Sequence, residues 1–239
     1  METTIAVEMM SQDPILWHCL YGRSLTIDSV KPDDQDATVP PARFRDRNLS
    51  FLNNLIYNYG ACAVVARIGE RFIGQLRFYP KAVFKLAEPG LGLCLHQEFP
   101  NGPADELGYR KFPSQKEIDD KTLVVHCMKL ALGAPERESF RRKGIGTQMV
   151  RMLIRWASAS GWHAIEASAY EDLPIIYSVT GQAGKSFWEK LGFRLFRMDR
   201  EPSLEEQTDF TQKMRKEAMA LGLDPMAVSN KYIMKFNLG

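Results

Sequence analysis

A predicted strand, a tight glycine turn and an amphipathic helix follow one another between residues 121 and 161. The run KTLVVHCMKLAL (121–132) has the β-branched and apolar composition of a strand and is followed by glycine and proline. From Ile145 onward, apolar residues recur at helical spacing, while Arg151 and Arg155 fall on the opposite side of the helix. The chain must therefore pass from a strand into a helix through a short basic turn.

That turn combines positive charge, bare backbone and the start of a helix. Arg141, Arg142 and Lys143 stand directly before the tripeptide Gly144–Gly146. A glycine lacks a Cβ atom, so a ligand can approach its backbone closely, and the first N–H groups of a helix have no acceptor within it. The turn therefore suits a pyrophosphate, and the alternative is a solvated basic turn. Met149 stands where the third glycine of the dinucleotide fingerprint is required, which excludes that motif.

Strand and helix patterns also occupy most of the remaining chain. A hairpin is predicted around Gly69 and Glu70, and a helix over 203–222 is predicted to open with a capping box of Ser203 and Glu206. The other predicted elements are strands at 15–22, 163–170, 193–199 and 230–238, and helices at 44–59 and 183–193. Residues 81–120 are rich in glycine and proline, which indicates an insertion or a loop over a site.

Three segments together resemble the GNAT superfamily of acyl-CoA-dependent N-acetyltransferases. Arg141-x-x-Gly144-x-Gly146 resembles its acyl-CoA-binding motif, FWEKLGF (187–193) its second signature, and VVARIGERFIGQLRFY (64–79) its second and third strands. The matches follow the family order and cover roughly residues 60–80 and 121–200. The resemblance implies an α/β fold with a mixed, mostly antiparallel sheet, splayed between its fourth and fifth strands and flanked by helices. It implies one domain over residues 1–239, with an insertion at about 81–120 and an extra helix at about 203–222.

The resemblance also implies an activity and a co-substrate. The activity is transfer of an acetyl group from acetyl-CoA to a primary amine, by direct attack of the amine on the thioester. Acetyl-CoA would lie in the gap between the strands at 121–132 and 163–170. The residues expected to bind it are Met128, Leu130 and Leu132 on the fourth strand, Arg141, Arg142, Lys143, Gly144, Ile145, Gly146 and Thr147 at the turn, and Lys185 and Ser186 at the start of the short helix.

The catalytic residues depart from the family pattern. Many members place a tyrosine acid where this chain has Trp188, which is instead predicted to be a buried aromatic residue. Tyr170 and Tyr177 are the candidate substitutes. His126 and Glu166 are the candidate bases, because the protonated amine must lose a proton before attack. Each has a structural alternative, a core histidine or a partly exposed carboxylate at the end of a strand, and Glu98 is a third candidate base.

Composition limits the other classes of partner. The formal net charge is +2 over 239 residues, which gives no basic field of the size that nucleic-acid binding requires. None of the four cysteines forms a CxxC pair, so no metal site is predicted and a reducing, cytoplasmic location is expected. No signal peptide or membrane span is predicted. The expected partners are therefore a small-molecule or peptide amine and, as a further possibility, a second copy of the chain.

Two alternatives to the amine acetyltransferase stay open. One is a non-catalytic CoA-binding or sensor module, which the missing tyrosine favours. The other keeps the fold but transfers the acyl group to a different acceptor, as homoserine-lactone synthases do. The variable first helices and the insertion carry acceptor specificity in such proteins, so the sequence does not name the acceptor.

Overall fold

The computed structural model describes residues 4–12, 42–83, 112–130, 140, 142–176, 183–205 and 208–239. Within these residues, seven strands form one sheet in the order β1-β2-β3-β4-β5-β7-β6. The strands are β1 (Ala6–Met10), β2 (Ala63–Ile68), β3 (Arg71–Pro80), β4 (Thr122–Leu130), β5 (Ala164–Ala169), β6 (Arg194–Arg200) and β7 (Asn230–Asn237). All neighbouring pairs are antiparallel except β4 and β5, which are parallel.

This sheet confirms the expected fold class and most of the expected strands. The hairpin turns at Gly69 and Glu70, and β4 and β5 are the fourth and fifth strands as predicted. The strand expected at 15–22 lies outside the described residues, and so does most of the insertion expected at 81–120. Strand β1 was not predicted, because its alternation covers only five residues. Its Glu8 pairs with Arg67 of β2 at 2.6 Å.

The helices lie on both faces of the sheet. They are α1 (Ala42–Tyr59), α2 (Ile145–Ala159), α3 (Lys185–Glu189) and α4 (Asp209–Ala220), with single 3-10 turns at Gln115–Glu117, Pro202–Leu204 and Ala227–Ser229. Phe51 of α1 packs edge-on against Tyr79 at 5.5 Å, whereas Trp156 of α2 packs against Phe78 at 5.1 Å. Tyr79 pairs with Val124 and Phe78 pairs with Val125. Val124 and Val125 are consecutive in β4 and point to opposite faces, so α1 and α2 cover opposite faces.

None of the helices in the described ranges combines the length and the apolar character that a bilayer crossing demands.

The start of α4 corrects the prediction for residues 203–222. Ser203 lies in the 3-10 turn Pro202–Leu204 and does not cap a helix, so the predicted capping box is wrong. The helix begins at Asp209, and the N-cap is Thr208, whose hydroxyl accepts a hydrogen bond from Thr211 N at 3.1 Å. A side-chain oxygen that satisfies an N–H of the first turn is what a helix start requires, and Thr208 supplies it five residues later than the sequence pattern indicated.

The main core lies between the sheet and the helices that cover it. Leu52 and Leu55 of α1 and Met149 and Leu153 of α2 have no exposed surface. A smaller apolar cluster joins α4 to the segment after β5 and consists of Leu173, Ile176, Met214, Ala218 and Val228. The end of β5 lies between the two clusters. Both clusters therefore position this end of the strand, which borders the candidate functional site.

Candidate functional site

Strands β4 and β5 pair only at their first residues and then separate. The parallel register runs from Thr122 opposite Ala164 to Val125 opposite Ala167. Beyond Val125, no residue of β4 pairs with β5 in the described part of the chain, although β4 continues to Leu130. The expected splay between the fourth and fifth strands is therefore confirmed. Backbone N–H and C=O groups along this edge of β4 face the gap, and buried backbone groups require partners.

A cavity of about 220 Å³ lies where the two strands separate. One wall is β4, and the other is formed by the end of β5, the start of β7 and the α3 segment. The lining residues are Val124, Val125, His126, Cys127, Met128, Ser168, Tyr170, Ala183, Trp188 and Lys231. The cavity thus mixes apolar surface with a few polar groups, as small-molecule sites do.

The start of α2 adjoins this cavity. Gly144 is its N-cap with a φ of 73°, and Arg142 also has a positive φ, 58°. The first backbone bond of the helix runs from Gln148 N to Gly144 O at 2.9 Å, so the N–H groups of residues 145–147 have no acceptor within the helix. A Cβ atom on Gly146 would lie 3.5 Å from Sδ of Met128, which lines the cavity. An anion bound at this helix start would therefore lie next to the gap.

The other residues expected to bind CoA near the turn differ in their exposure to solvent. Lys143 is exposed, Ile145 is buried and Thr147 is half-buried. Leu130 is partly buried and packs against the core without lining the cavity. Arg141 and Leu132 lie outside the described residues.

Lys185 and Ser186 have partners that the sequence did not indicate. Ser186 donates both its backbone N–H and its hydroxyl to the carboxylate of Asp172, at 3.0 and 2.8 Å. Gly184 allows this approach, because a Cβ atom there would lie 2.1 Å from Asp172 Oδ1. The Lys185 ammonium lies 5.0 Å from the centre of the Tyr232 ring. A carboxylate therefore caps the start of α3, where the sequence predicted contacts with CoA, and its charge disfavours a phosphate there.

His126 lies on β4 and lines the cavity. Its ring centroid is 5.6 Å from that of Tyr79, on the face covered by α1. The residue is half-buried. Its role as a base stays a prediction, and its position next to the gap is the one that the role requires.

Glu166 lies at the closed end of the gap and does not line the cavity. The sequence favoured a partly exposed carboxylate here, but the residue is only 6% exposed, which corrects that expectation. Its Oε1 atom is 2.8 Å from the Lys81 ammonium and 3.8 Å from that of Lys235. A buried carboxylate needs such partners, and they give Glu166 a structural role that links β5 to β7 and to the end of β3.

Trp188 is a buried aromatic residue, as predicted. It is 2% exposed and packs against Phe187 at 5.2 Å and Phe193 at 5.0 Å. Its indole Nε1 atom is buried and has no hydrogen-bond partner within the described residues. Because the side chain also lines the cavity, Trp188 contributes both to the core and to the wall of the candidate site.

Two cavity residues, Ser168 and Lys231, had no signal in the sequence, and a third, Tyr170, was predicted only as a substitute for the tyrosine acid. Ser168 follows Glu166 on the same face of β5 by alternation, and Lys231 lies on β7, two residues before Ile233, the partner of Ser168. Tyr170 continues β5, and its hydroxyl donates to Glu201 Oε2 at 3.4 Å. Burial, with the neighbouring negative charge of Glu201, raises the pKa of Tyr170 to about 12. The phenol therefore stays protonated at neutral pH.

The sequence matches no known family model, and a search of curated proteins also found no match. Solved structures with a similar outline include an IAA acetyltransferase from Bacillus cereus, at 13% identity and a TM-score of 0.42, covering 98% of this chain and 100% of that one. A GNAT-family acetyltransferase from Streptococcus pneumoniae is 11% identical with a TM-score of 0.42, over 80% and 74% of the two chains. A Bacillus subtilis acetyltransferase in complex with CoA is 14% identical with a TM-score of 0.40, over 74% and 76%. These are distant likenesses, and what each protein binds or acts on is a statement about that protein alone.

Proposed function

We propose that this protein is an acyl-CoA-dependent N-acyltransferase of the GNAT type, which transfers an acetyl group from acetyl-CoA to a primary amine. The observation that supports it is the separation of the parallel strands β4 and β5 over a cavity that adjoins the start of α2. The fold resemblance in the sequence supports the same activity. A cytoplasmic location belongs to this proposal as well.

The proposed binding mode uses the backbone of the separated strands. The free edge of β4 from His126 to Leu130 would pair with the amide groups of the pantetheine arm, in place of the missing strand. The N–H groups of residues 145–147 would hold the diphosphate, with Lys143 and Arg142 adding charge-assisted contacts. The thioester would then lie in the cavity beside His126 and Trp188.

The proposed reaction needs two protons to leave the amine nitrogen, one before the attack and one after it, and one proton to reach the thiolate. His126, directly or through water, would take the proton of the ammonium, which has a pKa near 10 in a lysine-like amine. The amine nitrogen would attack the thioester carbonyl carbon, and an N–H of β4 would stabilise the oxyanion. The C–S bond would then break, giving the CoA thiolate and an N-protonated amide, whose excess proton passes to the thiolate to give the neutral amide and the CoA thiol. The thiol pKa near 8.5 lets the thiolate leave without a strong acid.

Tyr170 would hold its proton throughout, because its only hydroxyl proton is donated to Glu201 Oε2. A phenol with a pKa of about 12 is a weaker acid than a thiol, so the phenol would not transfer its proton to the thiolate.

A second candidate function is a CoA-binding module without catalysis. Two observations favour it: Trp188 occupies the usual acid position, and Glu166 is held by two ammonium groups. Acetyl-CoA turnover with a panel of primary amines distinguishes the two functions. CoA binding without turnover of any amine would support the module, and no CoA binding would overturn both.

The substitution Gly146→Ala tests the binding mode. A Cβ atom there would make ordinary contacts, 3.5 Å from Met128 Sδ and 3.6 Å from Phe187 Cζ. Alanine in a helix is also more stable than glycine by about 0.4–1 kcal/mol, so the melting temperature should stay equal or rise. A diphosphate close to the backbone would meet the added methyl group, and CoA affinity should fall at least about tenfold.

The measurement is isothermal titration of CoA into the wild type, Gly146→Ala and the control Ser158→Ala on the exposed far end of α2. The control should bind like the wild type. Unchanged CoA affinity in a folded Gly146→Ala protein would show that no ligand approaches this backbone.

A further inference from the structure

A second cavity, of about 400 Å³, lies at the free edge of the sheet. It is formed by the start of β6 and the end of β7, and apart from Gly192 of the second signature it contains no residue of the sequence motifs or of the proposed CoA site. Side chains that line it include Arg194, Phe196, Lys235 and Asn237. It therefore combines two cations with an aromatic surface.

The strand register places Arg194 and Lys235 of the edge cavity on the same face of the sheet as His126 and Ser168. Glu166 is opposite Lys235, which is opposite Arg194. Residues opposite one another point to the same face, and Ser168 shares the face of Glu166 by alternation. Val124, opposite Glu166, puts His126 on that face too. Side chains of the two cavities, Arg194 and Lys235 in one and His126 and Ser168 in the other, therefore share one face of the sheet.

The spacing of strands gives the distance between the two cavities. A strand rises about 3.3 Å per residue and neighbouring strands lie about 4.8 Å apart. Lys235 is one strand away from Ser168 and Arg194 is two strands away, and both are displaced from it by two residues along the strand. The Cα atoms of Lys235 and Arg194 therefore lie roughly 8 and 12 Å from that of Ser168. A single small molecule can span this distance.

The charge of the edge cavity is only partly neutralised by the described residues. Arg194 is exposed and has no ion pair or hydrogen bond within the described part of the chain. Glu166 is nearer to Lys81, at 2.8 Å, than to Lys235, at 3.8 Å. The Lys235 ammonium also lies 4.7 Å from the centre of the Phe196 ring. The neighbouring Arg197 differs, because Asp199 binds it at 2.9 Å.

We propose that the edge cavity binds a carboxylate of the acceptor, so that the acceptor is an amine with a carboxylate roughly 8–12 Å from its amino group. This inference rests on the proposed acyl transfer, with the amine at Ser168 and His126. The Arg194 guanidinium matches a carboxylate in shape and charge, and Phe196, 54% exposed, supports an apolar or aromatic middle part. A monoanion fits better than a phosphate dianion, because Glu166 lies close to Lys235.

The test compares two amines that differ only in charge. The probes are 3-[4-(aminomethyl)phenyl]propanoate and the corresponding propanamide, whose amine and terminal group are roughly 9 Å apart by standard bond lengths. Initial rates of acetyl transfer give kcat and KM for each probe. The proteins are the wild type, Arg194→Gln, Lys235→Gln and the control Arg151→Gln, which removes the same charge from an exposed position on α2.

The KM of the wild type should be about ten- to hundredfold lower for the carboxylate than for the amide, a ratio that corresponds to the free energy of one hydrogen bond to a charged group. The two probes should have similar kcat values. Arg194→Gln and Lys235→Gln should raise the KM of the carboxylate far more than that of the amide. Arg151→Gln should leave the ratio unchanged. Equal KM values for the two probes in the wild type would overturn this inference and leave acyl transfer standing.

A binding measurement separates this inference from the proposed function. If no amine is acetylated, acyl transfer fails, and ligand-observed NMR titration of the two probes then decides whether the cavity binds a carboxylate. Tighter binding of the carboxylate than of the amide, lost in Arg194→Gln and kept in Arg151→Gln, would support the cavity as an anion site. Equal binding of the two probes would overturn it.

Discussion

Replacement of Trp188 separates its structural contribution from any chemical one. The side chain is 2% exposed, contacts two phenylalanine rings and lines the candidate cavity. Trp188→Ala removes a large buried aromatic group and should cost about 3–5 kcal/mol of stability. For a chain of this size, 1 kcal/mol shifts the melting temperature by about 2–4 °C, so a fall of about 6–20 °C is expected.

Trp188→Phe should behave differently from Trp188→Ala. The phenyl ring keeps the contacts to Phe187 and Phe193, and the variant also removes an indole N–H that has no hydrogen-bond partner within the described residues. Loss of buried area lowers stability, whereas removal of an unsatisfied donor raises it. The two effects oppose each other, so we expect a net change within about 1 kcal/mol.

The assay measures melting temperature by circular dichroism and kcat with acetyl-CoA and the best amine of the panel. If Trp188 only fills space, Trp188→Phe keeps kcat within a few-fold of the wild type at a temperature where both proteins are folded. A folded Trp188→Phe protein whose kcat falls by about a hundredfold would refute this reasoning and assign the indole N–H a direct role in the reaction.

Two further predictions concern titratable groups. Glu166→Gln should lower stability by about 1–3 kcal/mol, because it removes the charge that two ammonium groups share, and it should leave kcat within a few-fold of the wild type. His126→Gln should instead lower kcat by about a hundredfold at an unchanged melting temperature. A large loss of kcat in Glu166→Gln and none in His126→Gln would make Glu166 the base. The raised pKa of Tyr170, about 12 against 10.0 in the unfolded chain, predicts that its contribution to stability is complete only below pH 10 and is lost as pH rises from 10 to 12, because the unfolded phenol ionises first. In urea unfolding at pH 9–11.5, Tyr170→Phe should reduce this alkaline loss by about 1–2 kcal/mol after solvent screening, and an equally steep loss in the variant would contradict the assignment.

Local patterns in the sequence were sufficient for most of the elements that surround the site. The hairpin around Gly69, the strand before the basic turn and the amphipathic helix from Ile145 depend on residue periodicity and turn chemistry within a short window. The splay between the fourth and fifth strands was predicted from the resemblance of whole segments to a known family, because no single residue pattern indicates it. The start of α4 was predicted wrongly, because two hydroxyl residues five positions apart offered similar caps and the fold used Thr208.

The same distinction between local patterns and contacts with distant segments applies to the residues of the site. The helix start at Gly144 and Gly146 and the burial of Trp188 were predicted from sequence, because the glycines act through their own backbone and Trp188 lies on a short helix with neighbouring aromatic residues. The partners of Ser186 and Glu166 were not, since Asp172, Lys81 and Lys235 approach them from other segments.

The sequence by itself determined the order of the strands and helices from α1 onward and the glycine turn that begins α2, since these depend on neighbours along the chain. Only the tertiary structure decided which distant residues share a face. Arg194 and Lys235 are 41 positions apart in the printed numbering and lie side by side because β6 and β7 pair in one register. A shift of that register by one residue would turn one of the two side chains to the opposite face, and no pattern within either strand specifies it.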